Sequence, residues 1–467
     1  MGIIVPSFSR SLLACSYNFV CGLLFVAWIV FQPSDAFGAE SHAAPALLGV
    51  RIEFILFSLA LVGVALFHRH TMYVALTGLA CIIAFKYLFI DGFSFFGHIF
   101  GHGHEEGEWR ILLNLVGLLF GFAILAKHFE ESKLPDVLPN VLPDGWKGGF
   151  VLLTLIFVLS SFLDNIAAAM IGGTIARVVF KGNVHIGFLA AIVAASNAGG
   201  AGSVVGDTTT TLMWIDGVNP LAVLHAFVAS AAALAVFGVA GALQQNKHQP
   251  ISDMGVKGIK IDYGKLFIVF LILVGAIATN YLLDFPAAGV WIGIILGALI
   301  RKTPWYEMGH AWMGTIFLTA LVTCASLMPV EELPAASWQT ACSLGFISAV
   351  FDNIPLTKLC LDQGGYDWGV LAYTVGFGGS MIWFGSSAGV ALSNQYPQIR
   401  SVAAYLRHGW HVIIAYIVGF IALLLILGWH PTPKKSDLEA FQLANTHPVT
   451  LVSLSQQGIR QTSFAQH

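Results

Sequence analysis

Charged residues are scarce in this sequence. Only 10% of the 467 residues are Asp, Glu, Lys or Arg, whereas a soluble domain carries about 25%. The net charge of −3 at pH 7 offers no basic excess for nucleic acid, so no nucleic-acid partner is expected. Because 57% of the residues are hydrophobic, the composition predicts an integral membrane protein in contact with the lipid bilayer.

Paired cysteines are also missing. The six cysteines lack C-x-x-C spacing, so neither a disulfide framework nor a zinc site is expected. A single cluster, "GHIFGHGHEEGEWR", offers His98, His102, His104 and Glu105 as weak candidates for a divalent metal. A solvated loop between membrane spans is the preferred interpretation, and no cofactor is expected.

Long apolar segments occupy most of the chain and predict an all-α polytopic membrane protein with about 10–12 spans. The segments that approach the length of a span are 46–67, 71–97, 111–126, 184–200, 221–243, 266–283, 287–300, 311–329, 369–392 and 409–429. Two further apolar stretches, 149–180 and 338–361, are interrupted by "LDN" and "FDN". The short runs on either side suit re-entrant hairpins, whose non-helical tips must face protein or water.

Polar segments divide the chain into five parts. Residues 1–45 fit either a secretory signal or a first membrane segment, and both interpretations stay open. A polar linker, 244–265, separates a first transmembrane half, 46–243, from a second half, 266–430. The four lysines of the linker favour the cytoplasmic side. Residues 431–467 form a polar tail.

An internal repeat carries the polar residues of the apolar segments. "SSFLDNI" (160–166) matches "SAVFDNI" (348–354), and "GGAGSVVGDT" (199–208) matches "GGSMIWFGSS" (378–387) in the same order. Two matched motifs indicate duplication. Duplicated halves with glycine-interrupted segments are typical of secondary transporters, whose site lies between the repeats. The repeats are inverted if an odd number of spans separates them.

Three aspartates lie inside these motifs: Asp164, Asp207 and Asp352. A charged side chain costs about 2.5–3.5 kcal/mol at the centre of a membrane helix, so each is a candidate for ion or proton binding. Asn165 and Asn353 follow two of them and can supply a neutral oxygen or cap a helix. Burial with neighbouring amides or hydroxyls is the alternative for any one aspartate, but it explains three of them poorly.

The glycines of the second motif predict broken helices, because each costs about 1 kcal/mol in a helix interior relative to alanine. An unwound stretch frees carbonyl oxygens, and nearby serines and threonines add hydroxyl oxygens of the kind that sodium accepts. A small-residue packing face between helices is the alternative.

Taken together, the motifs resemble those of the ion transporter superfamily and, within it, the NhaD-type sodium/proton antiporters. The resemblance rests on "FLDNIAAAM", "SNAGGAGSVVGDTTTTLMW", "FDNIPLT" and "GGSMIWFGSSAGV", and it covers roughly residues 110–395. It implies two repeats, each with a re-entrant hairpin and a broken helix, and two sites for cations and protons. The implied residues are Asp164, Asn165, Ser196, Asn197, Gly199, Gly200, Ser203, Gly206, Asp207, Thr208 and Thr209 in the first repeat, with Asp352, Asn353, Gly378, Gly379, Ser380 and Ser386 in the second.

The second repeat departs from the first at Lys358, which occupies the position of Met170. Lys358 is a candidate internal cation that would neutralise Asp352 and leave one exchanging site. Alternatively, its ammonium extends to the membrane interface.

The expected function is exchange of sodium, with lithium as a second candidate ion, for protons by alternating access. This function needs no enzyme chemistry. Sodium-coupled uptake of a carboxylate or oxyanion is the nearest alternative, and an intramembrane aspartyl protease is a remote one because the G-x-G-D sequence is missing before Asp207. The expected location is the bacterial inner membrane, as a multi-pass protein, and a homodimer is one candidate assembly.

Overall fold

The fold is built from α-helices, as the composition predicts. The computed structural model describes residues 45–433, apart from 48, 68–69, 102–106 and 252–258. A short antiparallel pair, β1 (Ala46–Leu47) and β2 (Val50–Arg51), precedes the helices. The helices of the first half are α1 (Ile52–Leu66), α2 (Thr71–Phe89), α3 (Phe95–Phe100), α4 (Trp109–Glu131), α5 (Leu134–Val137), α6 (Trp146–Ser160), α7 (Asn165–Val179), α8 (Ile186–Ala201), α9 (Thr208–Ile215), α10 (Pro220–Leu224) and α11 (Ala226–His248).

The second half continues in the same way. Its helices are α12 (Tyr263–Leu283), α13 (Pro286–Ala298), α14 (Glu307–Ser326), α15 (Trp338–Ser348), α16 (Asn353–Gln363), α17 (Trp368–Gly378), α18 (Ser387–Gln395), α19 (Val402–His408) and α20 (Trp410–Ile426). Short 3-10 turns occupy Leu138–Val141, Val330–Glu332, Gly379–Met381 and Pro397–Arg400.

Helices long and apolar enough to cross a membrane by themselves number five among the described residues. They are α2, α4, α12, α14 and the stretch Pro220–His248. The pair α19 and α20, bent by 60°, would make a sixth. Each longer apolar segment of the sequence contains helix, which confirms a helical polytopic membrane protein, while the higher figure of 10–12 spans stays a prediction. The predicted terminal segments, 1–45 and 431–467, lie almost wholly outside the described residues.

Both Asp-Asn motifs interrupt a pair of helices. α6 ends at Ser160 and α7 begins at Asn165, and the Asp164 carboxylate accepts a hydrogen bond from the Ile166 amide at 3.1 Å. In the second half α15 and α16 flank Asp352, which accepts from the Ile354 amide at 3.0 Å. Aspartate is a preferred N-cap residue, because its oxygen satisfies an amide that the first turn leaves without a partner.

The glycine motifs interrupt a second kind of helix pair. α8 ends before the break and α9 begins at Thr208, while α17 and α18 flank the corresponding break in the second half. Glycine is needed here for close contact. A Cβ at Gly199 would overlap the carbonyl oxygen of Phe157, and a Cβ at Gly378 would overlap that of Gly345.

The two halves pack against each other reciprocally. α8 contacts α17, α9 contacts α16, and α18 contacts α7. The same hydrogen bond also occurs within each half. The Ser160 hydroxyl donates to the Ser196 carbonyl oxygen at 2.5 Å, and the Ser348 hydroxyl donates to that of Val375 at 2.8 Å. These contacts bring both breaks to the interior of the molecule, where α8 is buried along its whole length.

Replacing Gly199 by alanine is expected to destabilise the protein, because the new methyl group would meet the backbone of α6 rather than a side chain that can move. Overpacking of this kind costs about 1–3 kcal/mol. The apparent Tm in detergent measures the loss. Gly309→Ala is the matched control, since nothing lies within 4 Å of the added methyl group. An unchanged Tm for Gly199→Ala would contradict the close packing of α6 on α8.

Candidate functional site

A chain of polar side chains connects the two halves at their buried interface. The side-chain amide of Asn165 donates to Asn197 Oδ1 at 3.1 Å and to Asp207 Oδ1 at 3.2 Å. Asn197 Nδ2 in turn donates to the Ser380 hydroxyl at 2.9 Å. We name Asn165, Asn197, Asp207 and Ser380 the central polar cluster. It joins the start of α7, the C-terminal part of α8, the start of α9 and the break in the second half.

Asp207 holds a buried carboxylate oxygen that has no hydrogen-bond partner among the described residues, inside this otherwise bonded cluster. Its side chain is 2% exposed, and Oδ1 accepts from Asn165 and from the Thr209 amide at 3.3 Å. The other oxygen, Oδ2, accepts no hydrogen bond from any described residue. The buried Thr209 hydroxyl also has no hydrogen-bond partner among the described residues. A buried carboxylate oxygen without a partner is costly, so this atom is suited to bind a proton or a cation.

A cavity of about 870 Å³ leads to Asp207 from one side of the molecule. Its inner end is lined by Asp164, Asp207, Thr208 and Thr211, together with Ser387 from the second half. α4, α7 and α14 form the walls, which are mostly apolar along their length. The site residues therefore lie at the end of a passage wide enough for water and small ions.

The mouth of this cavity carries several charged side chains. Lys127 lies 2.9 Å from Glu130 and 3.9 Å from Glu307, and His310 lies 3.2 Å from Glu307. Asp136 is exposed beside them. With three carboxylates and one lysine, this entrance is net negative when His310 is neutral, which favours the approach of cations.

The second Asp-Asn pair lacks the partners of the first. In the aligned motifs Gly376 occupies the position of Asn197, and Ser386 occupies that of Asp207. The side-chain nitrogen of Asn353 accordingly donates to nothing in the described part of the chain. Ser386 serves as a helix cap instead, accepting from the Gly389 amide at 3.3 Å. The predicted second site is thus chemically poorer than the first.

Backbone carbonyls around the first break are largely used by nearby hydroxyls. Thr210 donates to the Ser203 carbonyl oxygen at 2.6 Å, and Thr211 donates to that of Val204 at 2.9 Å. Ser196 donates to the Val193 carbonyl oxygen at 2.9 Å. The two threonine bonds stabilise the unwound stretch, while the Ser196 bond lies inside α8. The carboxylates are therefore the strongest candidate ligands.

The glycines of the two motifs serve the turns around the cluster. A Cβ at Gly200 would lie 2.8 Å from the Gly206 carbonyl oxygen, and a Cβ at Gly379 would lie 2.6 Å from that of Gly385. Both breaks therefore need glycine to fold back closely on themselves. The structure thus brings the glycines of each motif beside the site and shows that they allow close packing, while their part in cation binding stays a prediction.

Lys358 is fully buried and lies among carboxylates other than Asp352. Its ammonium is 2.9 Å from Glu108, 2.8 Å from Asp362 and 3.8 Å from Asp216. Its side chain is 0% exposed, so the ammonium is enclosed by protein. The i,i+4 spacing of Lys358 and Asp362 is one signal of this cluster that the sequence contains, but Glu108 and Asp216 reach the lysine only through tertiary packing.

The histidine cluster of the sequence is described only in part. His98 Nε2 lies 2.9 Å from the Ser326 hydroxyl. His102, His104 and Glu105 lie outside the described residues. Within the described residues, no group of three or more His, Cys, Asp or Glu side chains is arranged to hold a metal ion.

Two structural contributions were not predicted from the sequence. Ser160 and Ser348 belong to the repeated S-x-x-x-D-N-I motif, and their hydroxyls fasten each helix pair to the neighbouring broken helix. Tyr405 donates to the Ser380 carbonyl oxygen at 3.1 Å and so fixes the second-half member of the central polar cluster. The repeated serine was a usable signal, whereas nothing in the sequence connects Tyr405 with the site.

Comparison with known proteins supports the resemblance seen in the motifs. The chain is 26% identical over 327 residues to the protein named Na(+)/H(+) antiporter NhaD of Vibrio cholerae, covering 58% of this chain and 69% of that protein. It is 27% identical over 406 residues to the protein of the same name from Vibrio parahaemolyticus, covering 71% and 95%. It is 28% identical over 372 residues to sodium/proton antiporter 1 of Arabidopsis thaliana, covering 68% and 60%. No protein-family model matches the chain.

Asn165→Ala is expected to destabilise the protein more than Asn353→Ala. The first change removes the donor shared by Asn197 and Asp207, and loss of a hydrogen bond to buried polar groups costs about 1–3 kcal/mol. The second removes an amide nitrogen that has no partner in the described structure. Apparent Tm values of the two variants, measured in the same detergent, make the comparison. Equal losses would contradict the asymmetry of the two motifs.

Proposed function

We propose, from its relationship to the NhaD-type sodium/proton antiporters, that this chain exchanges sodium for protons across a membrane. The chain is an integral multi-pass protein, and antiporters are transporters rather than enzymes. Lithium is the second candidate ion. The observation that carries the proposal is the buried Asp207 oxygen, which has no hydrogen-bond partner among the described residues and lies at the end of an open cavity beside Asp164.

Competition for these carboxylates explains the exchange. Burial disfavours an ionised carboxylate, so Asp207 must hold a proton or a cation to become neutral. Sodium binds only after the proton has left, and the proton returns only after sodium has left. Since the bare charge is costly to carry across the membrane, the loaded forms are the ones that cross.

Alternating access is the proposed route. We interpret α6 with α7, and α15 with α16, as re-entrant hairpins, and the breaks after α8 and α17 as unwound membrane helices. The reciprocal contacts between the halves support two inverted repeats with the central polar cluster between them. Rocking of one half against the other would expose the same aspartates first to one side and then to the other.

One exchanging site per chain is favoured over two. The first Asp-Asn pair is completed by Asn197 and Asp207, while the second has Gly376 and Ser386 in their places. Asp352 retains its role as a helix cap. A neutral serine cannot take over the charge balance that Asp207 provides for a bound cation.

The alternative cargo, a carboxylate or oxyanion, is not favoured. Among the described residues that line the cavity, Lys127 is the single lysine or arginine, and it is paired with Glu130 at the mouth. Lys358 is paired with carboxylates of its own. An anion would thus meet two aspartates at the inner end of the cavity without a compensating cation.

The bacterial inner membrane is the proposed location. The linker 244–265 contributes Ile259 to the cavity, and its lysines favour the cytoplasmic side. We therefore propose that the cavity opens to the cytoplasm in this conformation. A homodimer is a compatible assembly.

Asp164→Asn and Asp207→Asn are each expected to abolish sodium-dependent proton flux. The neutral amide can neither exchange a proton nor balance the charge of sodium. The protein is reconstituted in vesicles that contain a pH-sensitive dye, and sodium, lithium, potassium or citrate is added in turn. Asp352→Asn is expected to retain more flux than Asp164→Asn or Asp207→Asn. The double variant that combines Asp164→Asn with Asp352→Asn is expected to retain none.

Asp144→Asn provides the matched control for these variants, because Asp144 is exposed in a loop before α6. It should exchange like the unmodified protein. Sodium entry driven by citrate, without proton exchange, would refute antiport. Flux that persists in the double variant would refute the site assignment while leaving antiport intact.

The apparent Km for sodium is expected to rise as the pH falls, approaching about tenfold for each pH unit in the range where the competing carboxylate is mostly protonated, if one proton competes with one sodium ion. The maximal rate should change much less, since saturating sodium displaces the proton. Initial rates of dye response, measured across sodium concentrations at several pH values, test this. A Km that does not vary with pH would show that the two ions use separate sites.

A further inference from the structure

The described cavity approaches the central polar cluster along α4 from the C-terminal part of that helix. Lys127 and Glu130, near the C-terminal end of that helix, lie at the mouth. Glu108 directly precedes its N-terminal end, roughly 30 Å away for a helix of 23 residues. The residues that line the cavity do not include Glu108, so the face around Glu108, which we call the closed side, lies away from the mouth.

Lys358 and its three carboxylate partners lie on this closed side. Glu108 comes from the segment before α4, Asp216 follows the last residue of α9, and Asp362 lies one turn beyond Lys358 on α16. Exposure of these side chains is 0% for Lys358, 6% for Asp216, 18% for Glu108 and 20% for Asp362. One buried ammonium thus holds together three separate segments of the chain.

The same two helices that meet at Lys358 also begin at the Asp-Asn and glycine motifs. α9 runs from Asp207 of the central polar cluster to Asp216, and α16 runs from Asp352 past Lys358. α9 and α16 contact each other and belong to different halves. A movement that opened this side would have to separate these two helices. Separation would leave buried charges without their partners, which is strongly unfavourable.

We propose that Lys358, Glu108, Asp216 and Asp362 form an ion-pair gate that closes the site on the side opposite the cavity. The proposal rests on exchange by alternating access. In the other conformation Lys358 parts from Glu108 and Asp216, which belong to the first half, while it keeps Asp362 on its own helix. The lysine therefore remains neutralised in both states, and the contacts that change are the ones between the halves.

A cysteine placed behind the gate reports its opening. Ile354 is 2% exposed and lies four residues before Lys358, on the same face of α16 and one turn nearer Asp352. The reporter is the full-length chain with its six native cysteines replaced by alanine and Ile354→Cys introduced. A membrane-impermeant maleimide is applied to right-side-out and to inside-out vesicles.

In this background Asp216→Asn is expected to speed labelling from the Glu108 side about tenfold, which corresponds to about 1.4 kcal/mol. Asp216→Asn leaves Lys358 paired with Glu108 and Asp362, so the variant should fold. Asp216→Glu keeps the charge and should label as slowly as the parent reporter. Lys133→Met, which breaks an exposed ion pair with Asp136, is the matched control and should not change labelling.

Labelling of Asp216→Asn at the parent rate would overturn the gate, as would faster labelling from both sides, which indicates general loosening. The labelling does not depend on transport. Faster labelling from the Glu108 side alone, in a protein whose unmodified form shows no sodium-dependent proton flux, would support the gate and overturn the proposed exchange. Sodium-dependent proton flux without the labelling difference would support the proposed exchange and overturn the gate.

Discussion

The hydrogen bond from Asn165 to Asp207 Oδ1 is the constraint on which the account of this molecule depends. It fixes one oxygen of a buried carboxylate and leaves the other, Oδ2, with no partner in the described residues. An aspartate held in this way is expensive in a membrane unless it is neutralised. The surrounding helix breaks, hydroxyls and glycines hold this arrangement in place, and Asp207 lines the cavity through which, in the proposed function, ions would reach it.

The two matched motifs share backbone contacts but differ in the polar side chains that they place at the interface between the halves. Serine-to-carbonyl hydrogen bonds and the close glycine contacts recur in both halves, so the backbone framework is conserved between the two motifs within the chain. The amide and carboxylate that complete the first Asp-Asn pair are absent from the second, where Gly376 and Ser386 replace them. Ser380 nevertheless bonds Asn197. The polar cluster is made mainly by the first half, but it contacts the second half through Ser380.

Local sequence could predict the breaks but not the long-range partners. Glycine and the aspartate N-caps act within a few residues, so "LDN", "FDN" and the glycine motifs predicted where the helices end. That Ser380 belongs with Asn197, rather than with Asp352, depends on how α8 packs on α17. The partners of Lys358 were missed for the same reason, because Glu108 is distant in sequence and joins the lysine only in the folded chain.

Equilibrium binding of radioactive sodium to the purified protein, at a pH where protons no longer compete, tests the central claim most directly. The account predicts one sodium ion per chain, binding that is lost in Asp207→Asn and retained in Asp352→Asn. Two equivalent ions per chain, or binding that survives Asp207→Asn, would contradict a single site built around the Asp207 carboxylate.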